Sequence, residues 1–254
     1  MTKIIKTVSE WQQLKRSDKI KNKKIGFVPT MGALHEGHLS LIRRSNVENG
    51  ISVVSIFVNP TQFNDPSDLE KYPRTFESDV KLLRDLNVDY LFYPDYSEIY
   101  ADHFKYKIIE SDLSQILCGK FRPGHFEGVL TVVMKLLNII RPDKAYFGEK
   151  DYQQYLLIDE MCKAFFLNVA IILCPIVREA DGLALSSRNM LLSSNEKILA
   201  QRFPQLLKSE KSCEIIKNEL EKLSFKVDYI EEIGNRRFGA VHIGKVRLID
   251  NVEI

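Results

Sequence analysis

Cysteine is scarce in this chain and badly placed for metal or disulfide chemistry. Cys118, Cys162, Cys174 and Cys213 form no C-x-x-C pair and no regular framework. That argues against a zinc ribbon or a disulfide-stapled secreted fold and for free thiols in a reducing compartment. A surplus of one charge is missing as well. Lys and Arg number 36 against 34 Asp and Glu, and a net charge of +2 gives no grounds for a nucleic-acid or membrane partner. Long hydrophobic runs are also absent. The longest, Val129 to Ile140, is interrupted by Lys135 and Asn138, and Met1 to Lys6 holds no apolar stretch of signal-peptide length. A cytoplasmic protein without a membrane span is therefore expected. There is no internal repeat and no low-complexity linker. At 254 residues, 44% hydrophobic and 28% charged, the chain can bury one large core or a larger and a smaller one.

What is present is most concentrated at Pro29-Thr30-Met31-Gly32-Ala33-Leu34-His35-Glu36-Gly37-His38. This segment follows Lys24 to Val28, which reads as a buried strand, and leads into a helix beginning near His38. Strand, glycine-containing turn and helix N-terminus together make an anion site from backbone N–H groups and the helix dipole. Two imidazoles three residues apart lie on one face and can address the same group. Half of a zinc site would look similar, but His103, His125 and His242 stand alone and no cysteine has matching spacing.

Along the first two-thirds of the chain, strands alternate with helices. Ile51 to Val58, Asp89 to Tyr93, Ala145 to Phe147 and Val169 to Val177 read as strands, and Lys105 to Glu110 as a further short one. Thr75 to Asn87, Val129 to Ile140 and the stretch through Tyr155 and Met161 read as helices. This alternation predicts an α/β fold, a Rossmann-like doubly wound parallel sheet, over residues 1–175. From 176 to 254 the character changes. Asn195 to Leu223 is polar and helical, and Phe225 to Ile230 and Ala240 to Ile249 read as strands, the second broken by Gly244. A smaller C-terminal α+β domain is expected there.

Four polar clusters follow predicted strand ends: Met31 to His38, Asn59 to Phe63, Gly148 to Gln154, and Leu185-Ser186-Ser187-Arg188-Asn189. Taken singly, each reads as easily as a turn or a solvated loop. Ligands of open parallel sheets bind at the carboxyl edge, and four clusters sharing that edge predict one site built from four loops.

These clusters, with Tyr72-Pro73-Arg74-Thr75, Arg122-Pro123-Gly124-His125-Phe126 and Arg178-Glu179-Ala180-Asp181-Gly182, resemble the pantoate–β-alanine ligase family. The resemblance runs from about residue 20 to residue 195. His35-Glu36-Gly37-His38 alone implies only the wider H-x-G-H nucleotidyltransferase superfamily, and the Gly148 and Leu185 clusters narrow it. The resemblance implies an ATP-dependent ligase of vitamin B5 and coenzyme A biosynthesis. In it, pantoate is adenylated with loss of pyrophosphate, and β-alanine then displaces AMP. It further implies a homodimer, Mg²⁺ accompanying ATP, and a C-terminal lid.

By the same resemblance, ATP is held by Met31, Gly32, Ala33, Leu34, His35, Glu36, Gly37, His38, Gly148, Glu149, Lys150, Asp151, Val177, Leu185, Ser186, Ser187 and Arg188. His38, His35 and Lys150 are catalytic, with His38 the proton donor. Gln62 and Gln154 hold pantoate with Asn59 in support, and Gln62 also faces β-alanine. The chemistry agrees. Histidines, Lys150 and the Ser186–Arg188 donors suit phosphate oxygens. Neutral amides orient a nucleophilic carboxylate without stabilising it as an arginine would. Asp151 is a candidate ribose acceptor, and Met31 and Phe63 a candidate apolar wall for the gem-dimethyl group. Asp79 reads as a solvated helix carboxylate, with metal ligation the alternative. Two departures stand out. Cys118 replaces the carboxylate usual in Leu-Glu-Gly, which leaves Arg122 without a partner, and the C-terminal part is short around Glu232 to Phe238. Two rival readings remain. Another adenylyl- or cytidylyltransferase would give a dinucleotide product rather than AMP and an amide. A non-catalytic nucleotide-binding module would release no pyrophosphate.

Overall fold

In chain order the strands of the computed structural model, which describes residues 2–254, are β1 Lys3–Ile5, β2 Ile25–Thr30, β3 Ile51–Ile56, β4 Tyr90–Phe92, β5 Lys144–Gly148, β6 Ala170–Cys174, β7 Lys226–Ile233, β8 Arg236–Ile243 and β9 Val246–Glu253. The helices are α1 Val8–Arg16, α2 Glu36–Glu48, α3 Pro66–Lys71, α4 Phe76–Asp85, α5 Tyr96–Ile99, α6 Cys118–Phe121, α7 His125–Ile140, α8 Tyr152–Ala164, α9 Ser194–Ala200, α10 Arg202–Leu207 and α11 Cys213–Lys222.

β1 to β6 form one parallel sheet in the order β1-β4-β3-β2-β5-β6, and β7-β8-β9 form a separate antiparallel sheet. The apolar run of β3 is buried along its whole length, as a central parallel strand with both faces covered must be. On one face, α7 and α8 bring Val129, Val133, Leu136, Leu157 and Ile158 against Phe27 and Val53. On the other, α2 and α4 bring Leu39, Ile42, Val80 and Leu83 against Val28 and Val54. The expected doubly wound sheet is therefore present. The chain leaves β2 toward β3 and later returns to pair β5 on β2's other side, so the order reverses between β2 and β5. That reversal opens a crevice at their carboxyl ends.

The structure departs from the sequence-based expectations at some elements and sharpens them at others. Lys105 to Glu110 is not a strand; the Ile108 N–H donates to Thr131 Oγ1 (2.9 Å) instead of to a sheet neighbour. Ala240 to Ile249 divides into two antiparallel strands, because Gly244 takes φ +54° at a tight turn. The N-terminus, unassigned from the sequence, adds β1 at the sheet edge and then α1. The polar stretch after Asn195 is helical as expected, divided into α9 to α11 and packed under the antiparallel sheet through Phe203, Leu207, Ile216 and Leu220. Among the described residues no helix is long and apolar enough to cross a membrane.

Candidate active site

β2 runs on through Pro29 and Thr30 and ends in a turn with positive φ at Gly32 (+80°) and Ala33 (+50°). Asp79, on the first turn of α4, holds this turn. Its carboxylate accepts the N–H groups of Ala33 (3.0 Å) and Leu34 (2.8 Å) and the Thr75 hydroxyl (3.1 Å), and the residue is 2% exposed. Asp79 is thus neither a solvated carboxylate nor free for a metal; it is a buried anchor.

From this turn His35 caps α2. Its Nδ1 accepts the Gly37 N–H (3.2 Å), while Nδ1 of His38 accepts the His35 N–H (3.4 Å), a reciprocal box made of two imidazoles. The rings lie 4.1 Å apart. With both Nδ1 atoms accepting, each ring carries its proton on Nε2. Burial, and then the nearby Lys150, lowers His35 to about 4. Burial, then His35 and Lys150, lowers His38 to about 3. Two neutral imidazoles with Nε2–H donors therefore border the crevice.

The second loop holds Asn59 and Gln62. Tyr100 O–H (2.8 Å) and Thr61 O–H (3.0 Å) donate to Asn59 Oδ1, which turns its Nδ2 toward Gln62 Oε1 (3.1 Å) and the Gly128 carbonyl (3.2 Å). With Oε1 engaged, Gln62 turns its Nε2 to Met31 Sδ (3.2 Å), and both residues line the cavity. Gly128 permits this approach, since a Cβ there would lie 2.4 Å from the Thr61 carbonyl oxygen and 2.7 Å from the Gln62 nitrogen.

At the N-terminus of α7, His125 is buried and its Nδ1 donates to the Gln62 carbonyl (2.9 Å). Its Nε2 then accepts from Arg122 Nη1 (3.0 Å), and Arg122 Nη2 donates to the same carbonyl (3.2 Å). The guanidinium is not the freer group that a missing partner at 118 suggested. Cys118 is buried, with its thiol 3.1 Å from the Tyr229 hydroxyl and 3.7 Å from the Arg247 guanidinium.

On the far side of the crevice, Gly148, Lys150, Asp151 and Gln154 follow β5. Lys150 Nζ lies 3.1 Å from Asp151 Oδ2. Burial would raise the Asp151 carboxyl, but Lys150 and Arg188 outweigh it and hold it below its ordinary value. The segment after β6 contributes Val177, Leu185, Ser186, Ser187 and Arg188. Arg188 pairs with Asp68 at 2.8 Å, and Ser187 lies 3.4 Å from the Tyr72 hydroxyl.

The antiparallel sheet clasps the β5 loop from behind. Arg236 donates to the Glu149 carboxylate (2.8 Å) and lies over the Tyr152 ring at 4.1 Å. Asn251 Nδ2 donates to the carbonyls of Glu149 (2.9 Å) and Lys150 (3.0 Å). Arg178 binds Asp250 through two bonds of 2.7 and 2.9 Å.

One cavity joins these loops. Of the residues singled out from the sequence, Met31, His35, Gly37, His38, Asn59, Gln62, Phe63, Gly148, Lys150, Asp151, Gln154, Val177, Leu185, Ser186, Ser187 and Arg188 line it. Gly32, Ala33 and Leu34 form its outer turn on Asp79, Glu36 faces solvent paired with Arg43, and Glu149 faces Arg236. Tyr72, Arg122 and His125, noted from the sequence only as parts of wider segments and not as site residues, also line it. The proximity of Arg122 and His125 within the Arg-Pro-Gly-His segment was the available signal.

Comparison with known proteins follows the same lines. The family model for pantoate–β-alanine ligase matches residues 3–253. A pantothenate synthetase from Coxiella burnetii is 50% identical over 252 residues, covering 99% of this chain and 97% of that protein. One from Bdellovibrio bacteriovorus is 49% identical and covers 100% of both. The crystal structure of a pantoate–β-alanine ligase from Francisella tularensis, complexed with β-γ ATP and β-alanine, superposes with a TM-score of 0.95. It is 46% identical and covers 100% of this chain and 98% of that one. The full mutual coverage with the Bdellovibrio protein means that the compact C-terminal part is no shortening peculiar to this chain.

Proposed function

The chain belongs to the pantoate–β-alanine ligase family, and from that membership we propose how its residues carry the reaction. The protein is an ATP-dependent ligase that joins pantoate to β-alanine to give pantothenate. The observation that carries the assignment of roles is the convergence of two neutral histidines, Lys150 and the Ser186–Arg188 donors with two amides on a single crevice.

In the first step a pantoate carboxylate oxygen attacks the α-phosphorus, and the bond to the pyrophosphate oxygen breaks. Such a reaction needs alignment and charge neutralisation more than covalent help. Gln62 and Gln154 orient the carboxylate as neutral donors, so its nucleophilicity is kept. His35 and His38 donate Nε2–H bonds to phosphate oxygens as negative charge moves onto the leaving group. With pKa values near 4 and 3 they act as hydrogen-bond donors and not as imidazolium acids. This modifies the role of proton donor that the family resemblance implies for His38. Lys150 contributes a full positive charge at the phosphates, and Ser186, Ser187 and Arg188 hold the distal ones. In the second step the β-alanine ammonium first gives one proton to solvent, and the freed nitrogen lone pair forms a bond to the acyl carbon. The acyl–phosphate C–O bond breaks, AMP leaves with its electron pair, and the nitrogen sheds a second proton to leave the amide N–H.

Among the described residues no group of three or more His, Cys, Asp or Glu could hold a metal ion. Asp151 is the one acidic side chain among the residues lining the cavity. That donor set fits Mg²⁺ brought by ATP and held by its phosphates with Asp151, where it would neutralise phosphate charge. We assign residues 1–175 to the nucleotide- and pantoate-binding unit and 176–254 to the lid. We place the protein in the cytoplasm, in keeping with its free thiols, and take it to be a homodimer as its resemblance implies. Pantoate-dependent exchange of labelled pyrophosphate into ATP, followed by β-alanine-dependent release of AMP, tests the function. Exchange that proceeds without pantoate, or a dinucleotide product, refutes it.

A further inference from the structure

β-Alanine reaches the second step with a carboxylate as well as an amine, and Gln62 alone offers that carboxylate only a neutral donor. The cavity contains three cationic side chains, and two are already matched: Lys150 by Asp151 and Arg188 by Asp68. Arg122 is the exception. Among the described residues it has only neutral partners, His125 Nε2 and the Gln62 carbonyl. Burial, with Arg188 and Arg247 nearby, draws its pKa down only to about 10, so it stays cationic in the physiological range.

A half-buried cation whose hydrogen-bond acceptors carry no charge is costly unless an anion completes it, and the one carboxylate that acts on it, Asp68, is bonded to Arg188. The neutral neighbours also give it direction. His125 Nδ1 is fixed on the Gln62 carbonyl, so its Nε2 must accept, and the ring holds one arm of the guanidinium in place. Burial and Arg122 hold His125 down near 3, so the ring remains an acceptor and adds no competing charge. Because Arg122 and His125 both lean on the Gln62 backbone, the unmatched cation sits beside the residue proposed to face both organic substrates.

We propose that Arg122, oriented by His125, binds the carboxylate of the incoming amino acid and so selects β-alanine over amines that lack one. Arg122 is then a substrate-binding residue and His125 its positioning residue. This rests on the ligase reading above. An ATP phosphate is the other anion that this guanidinium could take, and the two sources separate by half-reaction.

The test compares wild type, Arg122→Gln and Arg122→Lys with two amine substrates: β-alanine and its uncharged amide, 3-aminopropanamide. Wild-type pantoate-dependent ATP–pyrophosphate exchange confirms the underlying ligase; its absence would sink that reading rather than this one. For Arg122→Gln, kcat/KM for β-alanine should fall on the order of 10²-fold, chiefly through KM, with little change for the amide. Preference for the carboxylate should therefore nearly vanish, and Arg122→Lys should recover part of it. Retained preference in Arg122→Gln overturns the proposal. So does a rise in the KM for ATP in the exchange reaction without loss of preference, which would assign the cation to phosphate. Should Arg122→Gln fail to fold, Arg122→Lys and His125→Gln carry the same comparison, since either misaims the guanidinium and should lower the preference.

Discussion

Replacing Asp79 by asparagine should disturb a site that the residue never enters. Its two carboxylate oxygens each take one backbone N–H from the Gly32–Leu34 turn, at 3.0 and 2.8 Å, in a position 2% exposed. Asparagine has one acceptor oxygen, so one of the two N–H groups would face another N–H. Losing a charge-assisted bond and stranding a buried donor together cost about 2–5 kcal/mol. At roughly 2–4 °C per kcal/mol for a chain of this size, the thermal midpoint should fall by about 5–15 °C. The turn carries Ala33 at φ +50° and leads straight into the His35 cap, so its release should also shift both imidazoles. Displacement on the ångström scale costs on the order of 10²-fold in a positioned reaction. Thermal melting by circular dichroism and pantoate-dependent pyrophosphate exchange read both effects on one sample. A midpoint within about 2 °C of wild type would refute the anchor. A large loss of exchange at unchanged stability would too, because it would point to direct contact with ATP or its metal.

Lys150→Ala should slow pyrophosphate exchange by about 10²-fold or more while leaving the melting midpoint nearly unchanged, since its ion pair with Asp151 is partly exposed. Gln62→Glu should weaken pantoate binding more than Gln62→Ala, by like-charge repulsion, and equal KM values for pantoate would remove Gln62 from that subsite. Gly128→Ala forces a Cβ against the Thr61 carbonyl and should raise the KM for pantoate several-fold through displacement of Gln62; an unaltered KM contradicts the packing. His35, His38 and His125 all have folded values lowered from 6.5, to about 4, 3 and 3. Below pH 6.5 the unfolded chain binds protons that the folded chain refuses, so stability should fall as pH drops from about 6.5 toward 4. Denaturant titrations at stepped pH, with histidine resonances followed by NMR, check this; imidazolium signals from these three in the folded protein near pH 6 would contradict it.

The strand–turn–helix around His35 was legible because period, turn glycine and cap all agree within fifteen or so residues. The carboxyl-edge convergence was legible because each cluster abuts a strongly apolar strand. Asp79 was not. An aspartate in the first turn of an amphipathic helix is ordinarily solvated, and its partners at Ala33 and Leu34 lie some 45 residues away with no local signature. His125 looked solitary for a similar reason, since its partner is a carbonyl 63 residues distant. The start of α1 did carry a signal, because Thr7-Val8-Ser9-Glu10 is a capping box, and both reciprocal bonds form. Lys105 to Glu110 misled through alternating apolar residues that found no neighbouring strand.

Asn251 grasps the carbonyls of Glu149 and Lys150, and Arg236 the Glu149 carboxylate, so the loop bearing the lysine is pinned to the antiparallel sheet partly through its own backbone. The aim of the Lys150 ammonium across the crevice therefore depends on side chains that lie outside it, about a hundred residues further along the chain. Damage at the antiparallel sheet would reach the crevice as lost aim with the charge still present.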